Sequence, residues 1–482
     1  MTATDRSAVG LRSERGPVLA AVMTATSLVA LDATIIATAV PSIVRDLGGF
    51  SQFPWLFSIY LLTQAVTVPL YGKLADLVGR RPVMLVGIGV FLVGSVLCGV
   101  AWSLPALIAA RALQGVGAGA VLPMSITIIG DLYSVEERAR VQGYVASVWA
   151  VSSVIGPALG GVFSEYSSWR WIFFLNLPLG AAAVLMLRRS FHERVQRRTH
   201  QLDLTGAGLL TVGCSLLILG LLQGGVSWRW GSLVSLVVFV VAAAALIGFV
   251  LVERHAPEPV LPLWMFSRRV LVGGNLVAVV VGVVLIGLTS YVPTYVQGVL
   301  GTGAVVAGSS LAAMTLGWPL AAALAGRLYM RVGFRDTAFF GVAVVVAGAV
   351  WTALLGPDSA VLTVAAACFV VGVGLGLSSS PTVVAVQSVV DWDRRGVVTA
   401  TNLFARNLGS AVGVAAFGAI ANATLAGREV SPASLYEAAH HVFVGVAVAA
   451  ALAFAALALI PRRTRPLIFD VAPEASAPTL AS

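Results

Sequence analysis

Fourteen stretches of about twenty mostly apolar residues, separated by short polar loops, dominate this chain. They fall near 17–39, 53–71, 83–101, 105–130, 141–163, 169–187, 205–223, 232–252, 270–293, 304–325, 338–355, 361–380, 398–422 and 441–460. A helix crossing ~30 Å of hydrocarbon needs about 20 such residues, and only helices and closed barrels satisfy every backbone group inside lipid. These runs are too long for barrel strands and do not alternate. The expectation is an all-α integral membrane protein with fourteen transmembrane helices. Composition agrees, since 58% of the 482 residues are apolar and 11% charged, more hydrocarbon than a soluble interior of that length can hold.

The basic residues orient the chain. With loops assigned alternately to the two sides, Arg45, Arg170, Arg229 and Arg428 lie opposite the termini, and Arg111 and Arg406 lie inside helices. The rest of the 30 Lys and Arg lie on the side of the termini, which the positive-inside rule makes cytoplasmic. The net charge of +9 is therefore spread through juxtamembrane loops, and a nucleic-acid partner is not expected. The basic N-terminus leads into an apolar run without an A-x-A-like cleavage site, read as a retained first helix. Cys98, Cys214 and Cys368 all fall in apolar runs, and no Cys/His spacing offers a metal site. His192, His200, His255, His440 and His441 lie in loops or at helix ends. No catalytic cluster and no GxxxxGK[ST] nucleotide loop is present. The reading is a non-enzymatic, monomeric membrane protein with no cofactor, powered by an ion gradient.

The chain repeats itself. "GKLADLVGRR" (72–81) follows helix 2 and "GRLYMRVGFR" (326–335) follows helix 10, on the same side of the membrane. Parallel repeats of this kind divide the chain into a tail (1–16), a six-helix bundle (17–187), a loop with inserted helices 7 and 8 (188–260), a second six-helix bundle (261–461) and a disordered tail (462–482).

On these residues the chain resembles the major facilitator superfamily, whose signature loop G-x-L-a-D-x-x-G-R-[RK] is matched at Gly72, Leu74, Asp76, Gly79, Arg80 and Arg81. "LDATIIATAVPSI", "RALQGVGAGAVLP" and "GPALGG" running on to "WRWIFFLNLPLG" resemble the fourteen-helix drug/proton antiporters in particular. The second copy of the loop is degenerate, with Tyr329 and Met330 in place of Ala75 and Asp76. The resemblance implies two pseudo-twofold bundles, proton-coupled multidrug efflux and a cell-membrane location. It also implies that the loop at 72–81 latches the cytoplasmic side. Asp76 is expected to accept bonds from Arg138 or Arg140, or from a helix N-terminus of the other bundle. Gly72 is expected to admit a neighbouring backbone, and Gly79 to make a tight turn. Gly156, Pro157, Gly160 and Gly161 match the antiporter motif, expected to bend helix 5 where the bundles meet.

Asp32 is the one acid placed in a helix interior, and an intramembrane carboxylate marks a functional site by default. Asp32 and Arg111 lie at similar depth, about 10 Å from the outer ends of helices 1 and 4, so they can pair. An opposite charge favours the ionised carboxylate and burial the neutral one. A balance between them lets Asp32 load and release a proton, the use to which the family puts it, whereas a static ion pair would only hold helices together. A carboxyl capped permanently, with no aqueous route, would abolish the scheme. Tyr60, Gln64, Trp149, Ser152, Asn275, Tyr291, Tyr295 and Trp318 are candidates for a cavity suited to amphipathic organic substrates; Gln114 is expected to bond either a substrate or a neighbouring helix, and Arg406 either to face the cavity or to snorkel to the cytoplasmic edge. Glu165 is read as a loop residue. The function expected is export of such compounds by proton antiport through alternating access. The alternative is a dedicated exporter of one endogenous metabolite or lipid.

Overall fold

The computed structural model describes residues 10–133, 135–191, 203–225, 227–257, 259–261, 263–390 and 395–461. The helices are α1 (Gly16–Leu47), α2 (Trp55–Val78), α3 (Arg80–Gly99), α4 (Leu104–Leu132), α5 (Val135–Tyr166), α6 (Trp171–Phe174), α7 (Asn176–Ser190), α8 (Leu204–Gln223), α9 (Leu233–Glu253), α10 (Arg269–Gly298), α11 (Ala304–Val332), α12 (Phe334–Ala353), α13 (Val361–Ser388), α14 (Arg395–Leu425) and α15 (Pro432–Ala458). Short 3₁₀ segments at Phe50–Gln52 and Leu263–Ser267 precede α2 and α10. With α6 and α7 counted as one span, 14 helices among the described residues are long and apolar enough to cross a membrane. The tail at 462–482 lies outside the described residues.

Several helices outrun their apolar windows. α1 continues to Leu47, because hydropathy marks only the part of a helix that meets hydrocarbon while hydrogen bonding carries it into water. The sixth span is interrupted at Leu175. Pro178 has no N–H to give the carbonyl of Phe174, so the ladder breaks there. Polar caps set helix starts in the loops: Ser103 accepts from the backbone of Ala106, and Ser431 and Ser434 form a reciprocal capping box on α15.

The repeat has a geometric counterpart. Gly79 (φ 100°, ψ 154°) separates α2 from α3, and Gly333 (φ 93°, ψ 162°) separates α11 from α12. Both occupy a left-handed conformation that residues with a Cβ rarely adopt. The turn expected at Gly79 is present, and its partner in the second copy makes the same turn despite the lost Asp.

α1 packs on α5 and α7, α3 on α4 and α7, and α2 on α4; in the second half α13 packs on α11 and α12, and α10 on α14 and α15. Two main seams join the halves, α2 against α14 and α5 against α11, with a lighter contact of α1 against α10. The α8–α9 hairpin lies along one of them, with α8 touching both α2 and α14. Leu210, Cys214, Ile218 and Leu222 of α8 share an apolar cluster with Leu62 and Val66 of α2 and Ala411 and Ala415 of α14. The outer face of the hairpin, Leu233, Leu236, Val240 and Ile247 among others, is exposed, as lipid contact requires.

The side bearing the termini is called inner here, the other outer. Apolar packing between the halves is concentrated on the outer side. One cluster runs from Ile35–Ile43 of α1 and Phe53–Phe57 through Tyr291–Val296 of α10 to α11 and α13. The inner cores are separate, one within the first half (Val18, Met84, Ile128) and one within the second (Leu271, Val386, Val398).

Candidate functional site

Five helices of the first half converge on one buried polar network. Arg111 of α4 donates from a terminal guanidinium nitrogen to Asp32 Oδ2 of α1 at 2.7 Å. The other oxygen, Asp32 Oδ1, accepts from Gln114 Nε2 at 2.8 Å and from Asn176 Nδ2 of α7 at 3.1 Å. Arg111 also donates to Gln114 Oε1 at 2.6 Å and through Nε to the carbonyl of Leu56 at 3.2 Å, and its guanidinium lies 4.0 Å from the ring centre of Tyr60 of α2. Ser95 of α3 accepts from both Gln114 (2.9 Å) and Asn176 (3.2 Å). Asp32 and Arg111 are each 1% exposed. Among the described residues Asp32 is the only acid away from a helix end.

Burying such a pair is tolerable only if the remaining lone pairs and protons are satisfied, and the amides, the serine and the ring do that here. The carboxylate is dry and capped in this conformation. Asn176 and Ser95 were not expected in the site. Asn176 lies within "WRWIFFLNLPLG", and its being an amide between Phe173 and Leu179 was the available signal; a lone serine in α3 offers none. Of the two partners expected for Gln114, a substrate or a neighbouring helix, the structure shows the second: both ends of its amide lie inside the network, because one turn of α4 sets it beside Arg111. Tyr60 likewise turns its ring onto Arg111.

The antiporter motif forms one wall of the α5–α11 seam. A Cβ on Gly156 or Gly160 would strike Thr34 and Ile35 of α1, whereas one on Gly161 would lie 2.8 Å from the carbonyl oxygen of Ala304 in the other half. Across from it, a Cβ on Gly308 of α11 would lie 2.4 Å from the carbonyl oxygen of Pro157. Glu165, read as a loop residue, is instead in the last turn of α5, where its carboxylate accepts the backbone N–H of Val305 at 3.1 Å and so caps the start of α11. Gln297 donates to the Thr38 carbonyl (3.2 Å), Ser58 to that of Ala411 (3.2 Å) and Asn422 to that of Ser51 (2.9 Å). All these ties lie toward the outer ends of the helices. At the outer edge of the first half, Asp46 accepts from Arg170 at 2.7 Å and Trp169 at 3.0 Å.

The inner loop is arranged differently from expectation in one respect. Among the described residues no atom stands within 4 Å of a Cβ built on Gly72, because the close packing between halves is at the outer ends. Arg81 donates to the carbonyl of Arg188 at 2.7 Å, a contact inside the first half, and Arg80 begins α3. The side chains of Asp76, Arg138 and Arg140 fall outside the described residues.

The other cavity candidates are dispersed. Tyr291 is buried against Phe53, with ring centres 5.5 Å apart; the Tyr295 hydroxyl donates to the Gly356 carbonyl in the loop before α13, at the outer edge. Ser152 gives its backbone carbonyl to Thr34, and Trp318 packs against the outer core. Trp149 is partly buried on α5. Asn275 of α10 accepts from Asn402 at 3.2 Å. Gln64 is 4% exposed and Arg406 is partly exposed; neither side chain has a hydrogen bond or ion pair among the described residues.

A family model described as Major Facilitator Superfamily matches residues 22–208 and 204–414. The chain belongs to the major facilitator superfamily. It is 34% identical over 414 residues to the multidrug transporter protein MdtP of Bacillus subtilis, covering 86% of this chain and 76% of that one. It is 35% identical over 391 residues to multidrug resistance protein 3 of the same organism, covering 81% and 76%. The fold is also that of the nucleoside transporter NupG, with a TM-score of 0.65 at 11% identity over 92% of this chain and 100% of that one. The protein is thus a multi-pass membrane transporter of this superfamily, not an enzyme.

Proposed function

We propose that this transporter exports hydrophobic or amphipathic organic compounds across the cell membrane in exchange for protons, with Asp32 as the proton carrier. The observation that carries the reading is one intramembrane carboxylate, the only one among the described residues, held by a cation and two amides where five helices of the first half meet. A change of charge there alters the packing of α1, α2, α3, α4 and α7 together, which is what coupling demands. The multidrug names of the two Bacillus relatives support the substrate class. Arg80 and Arg81, with Asp76, Arg138 and Arg140, serve as the inner latch in the opposite conformation, and the Gly156–Gly161 segment is the surface on which the halves rock. In the outer-closed state described here the carboxylate is sealed, so loading requires the network to part.

That sealing is also what a static ion pair would show, and this second reading gives a different result in the same assay. Substrate efflux is followed in proteoliposomes under an imposed pH gradient for wild type, Asp32→Asn and the doubly neutral Asp32→Asn/Arg111→Gln. The carrier reading expects gradient-driven transport to disappear in both variants while substrate binding persists. Recovery of transport in the double variant would establish the static pair. Undiminished gradient-driven transport by Asp32→Asn alone would remove the proposal.

A further inference from the structure

The network around Asp32 is electrically balanced: one carboxylate, one guanidinium, and neutral amide and hydroxyl groups around them. Arg406 is left over. It lies on α14, five residues or roughly 8 Å inside the inner end of the apolar span Thr401–Leu425, and its guanidinium has no hydrogen bond or ion pair among the described residues. A cation at such a depth is costly unless something answers it. No described acid away from a helix end remains to do so, because Asp32 is committed to Arg111.

The polar surroundings of Arg406 are also unspent. Asn402, one turn earlier on the same face, donates to Asn275 Oδ1 at 3.2 Å and to the Gly274 carbonyl at 3.1 Å. That leaves the Asn275 amide hydrogens free among the described residues. On the facing half, Gln64 of α2 is 4% exposed, and its side-chain amide has no partner among the described residues. Its depth follows from the seam. Ser58 of α2 meets the carbonyl of Ala411 of α14, and the two helices run in opposite directions. Six residues inward along α2, about 9 Å, is Gln64; the same distance inward along α14 is position 405. Two unpartnered polar side chains, one from each half, therefore share a level on the inner side of the closed outer gate.

We infer that Gln64 and Arg406 form the polar end of the cargo site and that the cargo is an amphiphile bearing a single negative charge, such as a carboxylate or sulfonate. Arg406 supplies a planar set of donors for two oxygens of the acid, and Gln64 and the Asn275 amide supply neutral bonds. The apolar remainder of the cargo lies against the Leu-rich α2 and the Ala-rich α14. A lipophilic cation would meet the uncompensated charge of Arg406 and be disfavoured. This identification of the substrate class rests on the export reading above, but it concerns binding alone and is tested without any gradient.

The test uses the full-length protein in phosphatidylcholine vesicles and a matched pair of fluorescent probes, a dansyl-alkyl carboxylate and the same dansyl-alkyl chain ending in an amine. At equilibrium, without a pH gradient, wild type is expected to bind the carboxylate about 10- to 100-fold more tightly than the amine, the range for a hydrogen bond to a charged group. Arg406→Gln is expected to lose that preference with little change for the amine, and Arg406→Lys to keep part of it. Equal affinity of wild type for the two probes would overturn the inference, as would unchanged carboxylate affinity in Arg406→Gln. The measurement is repeated with phosphatidylglycerol in the vesicles. If this lipid abolishes the preference by occupying Arg406, the anion at the site is a lipid headgroup and the assignment to cargo fails. Should Asp32→Asn remain fully coupled while the carboxylate preference holds, only the proton proposal falls.

Discussion

Replacing Gly308 by alanine tests whether the outer side closes through backbone contact. In the closed state the added methyl would sit 2.4 Å from the carbonyl oxygen of Pro157 and 3.0 Å from its carbon, where ordinary contact begins at 3.4 Å. α5 and α11 must then separate by about 1 Å, and the closed state alone bears the strain, because the two helices part when the outer side opens. Overpacking of this kind costs about 1–3 kcal/mol, equivalent to a roughly 5- to 150-fold shift of the closed-to-open ratio. Spin labels at Ser167→Cys and Asp358→Cys, on outer loops of the two halves, report that ratio. They are introduced after the three buried cysteines, Cys98, Cys214 and Cys368, have been replaced. Gly308→Ala should move the distance distribution toward a longer separation. Gly89→Ala, where an added Cβ meets nothing within 4 Å, should leave it in place. An unmoved distribution in folded Gly308→Ala protein would refute the reasoning.

Two further outcomes are expected. Glu165→Gln keeps a polar group at the start of α11 but removes the charge that suits a helix N-terminus. The same label pair should show a shift toward the open state of about two- to fivefold, smaller at high salt. Asn176→Ala strips one donor from Asp32 and one from Ser95 without touching Arg111, and should lower the stability of the folded protein by about 1–3 kcal/mol, the cost of leaving buried polar atoms unmet. Thermal unfolding of the detergent-purified variant against wild type measures it, and an unchanged transition would show that the network tolerates a missing member.

Asp32 and Arg111 were legible in the sequence because a charge inside an apolar run is conspicuous wherever it lies. Asn176 and Ser95 were not. A lone amide or hydroxyl in a membrane helix can bond to the carbonyls of its own helix, as Thr26 does to Val22 and Thr63 to Ile59, so residue type alone does not say which ones reach across. The Leu56 carbonyl has no sequence signature at all. Glu165 was misread for a related reason, since hydropathy ends a helix at the edge of the hydrocarbon while α5 continues to Tyr166.

By itself the sequence determined the number of helices, their alternation across the bilayer and the internal repeat. These depend on apolar length and on charge, which are local quantities summed along the chain. It also determined the turn at Gly79, and with it the matching turn at Gly333, because a left-handed backbone is a property of one residue. Only the tertiary structure decided that Asp32 is closed off by residues from four other helices and that Pro157 faces Gly308. It likewise decided that Gln64 and Arg406 have no partner among the described residues. Those facts depend on which helix faces lie opposite one another, and that is settled by packing among segments far apart in the chain.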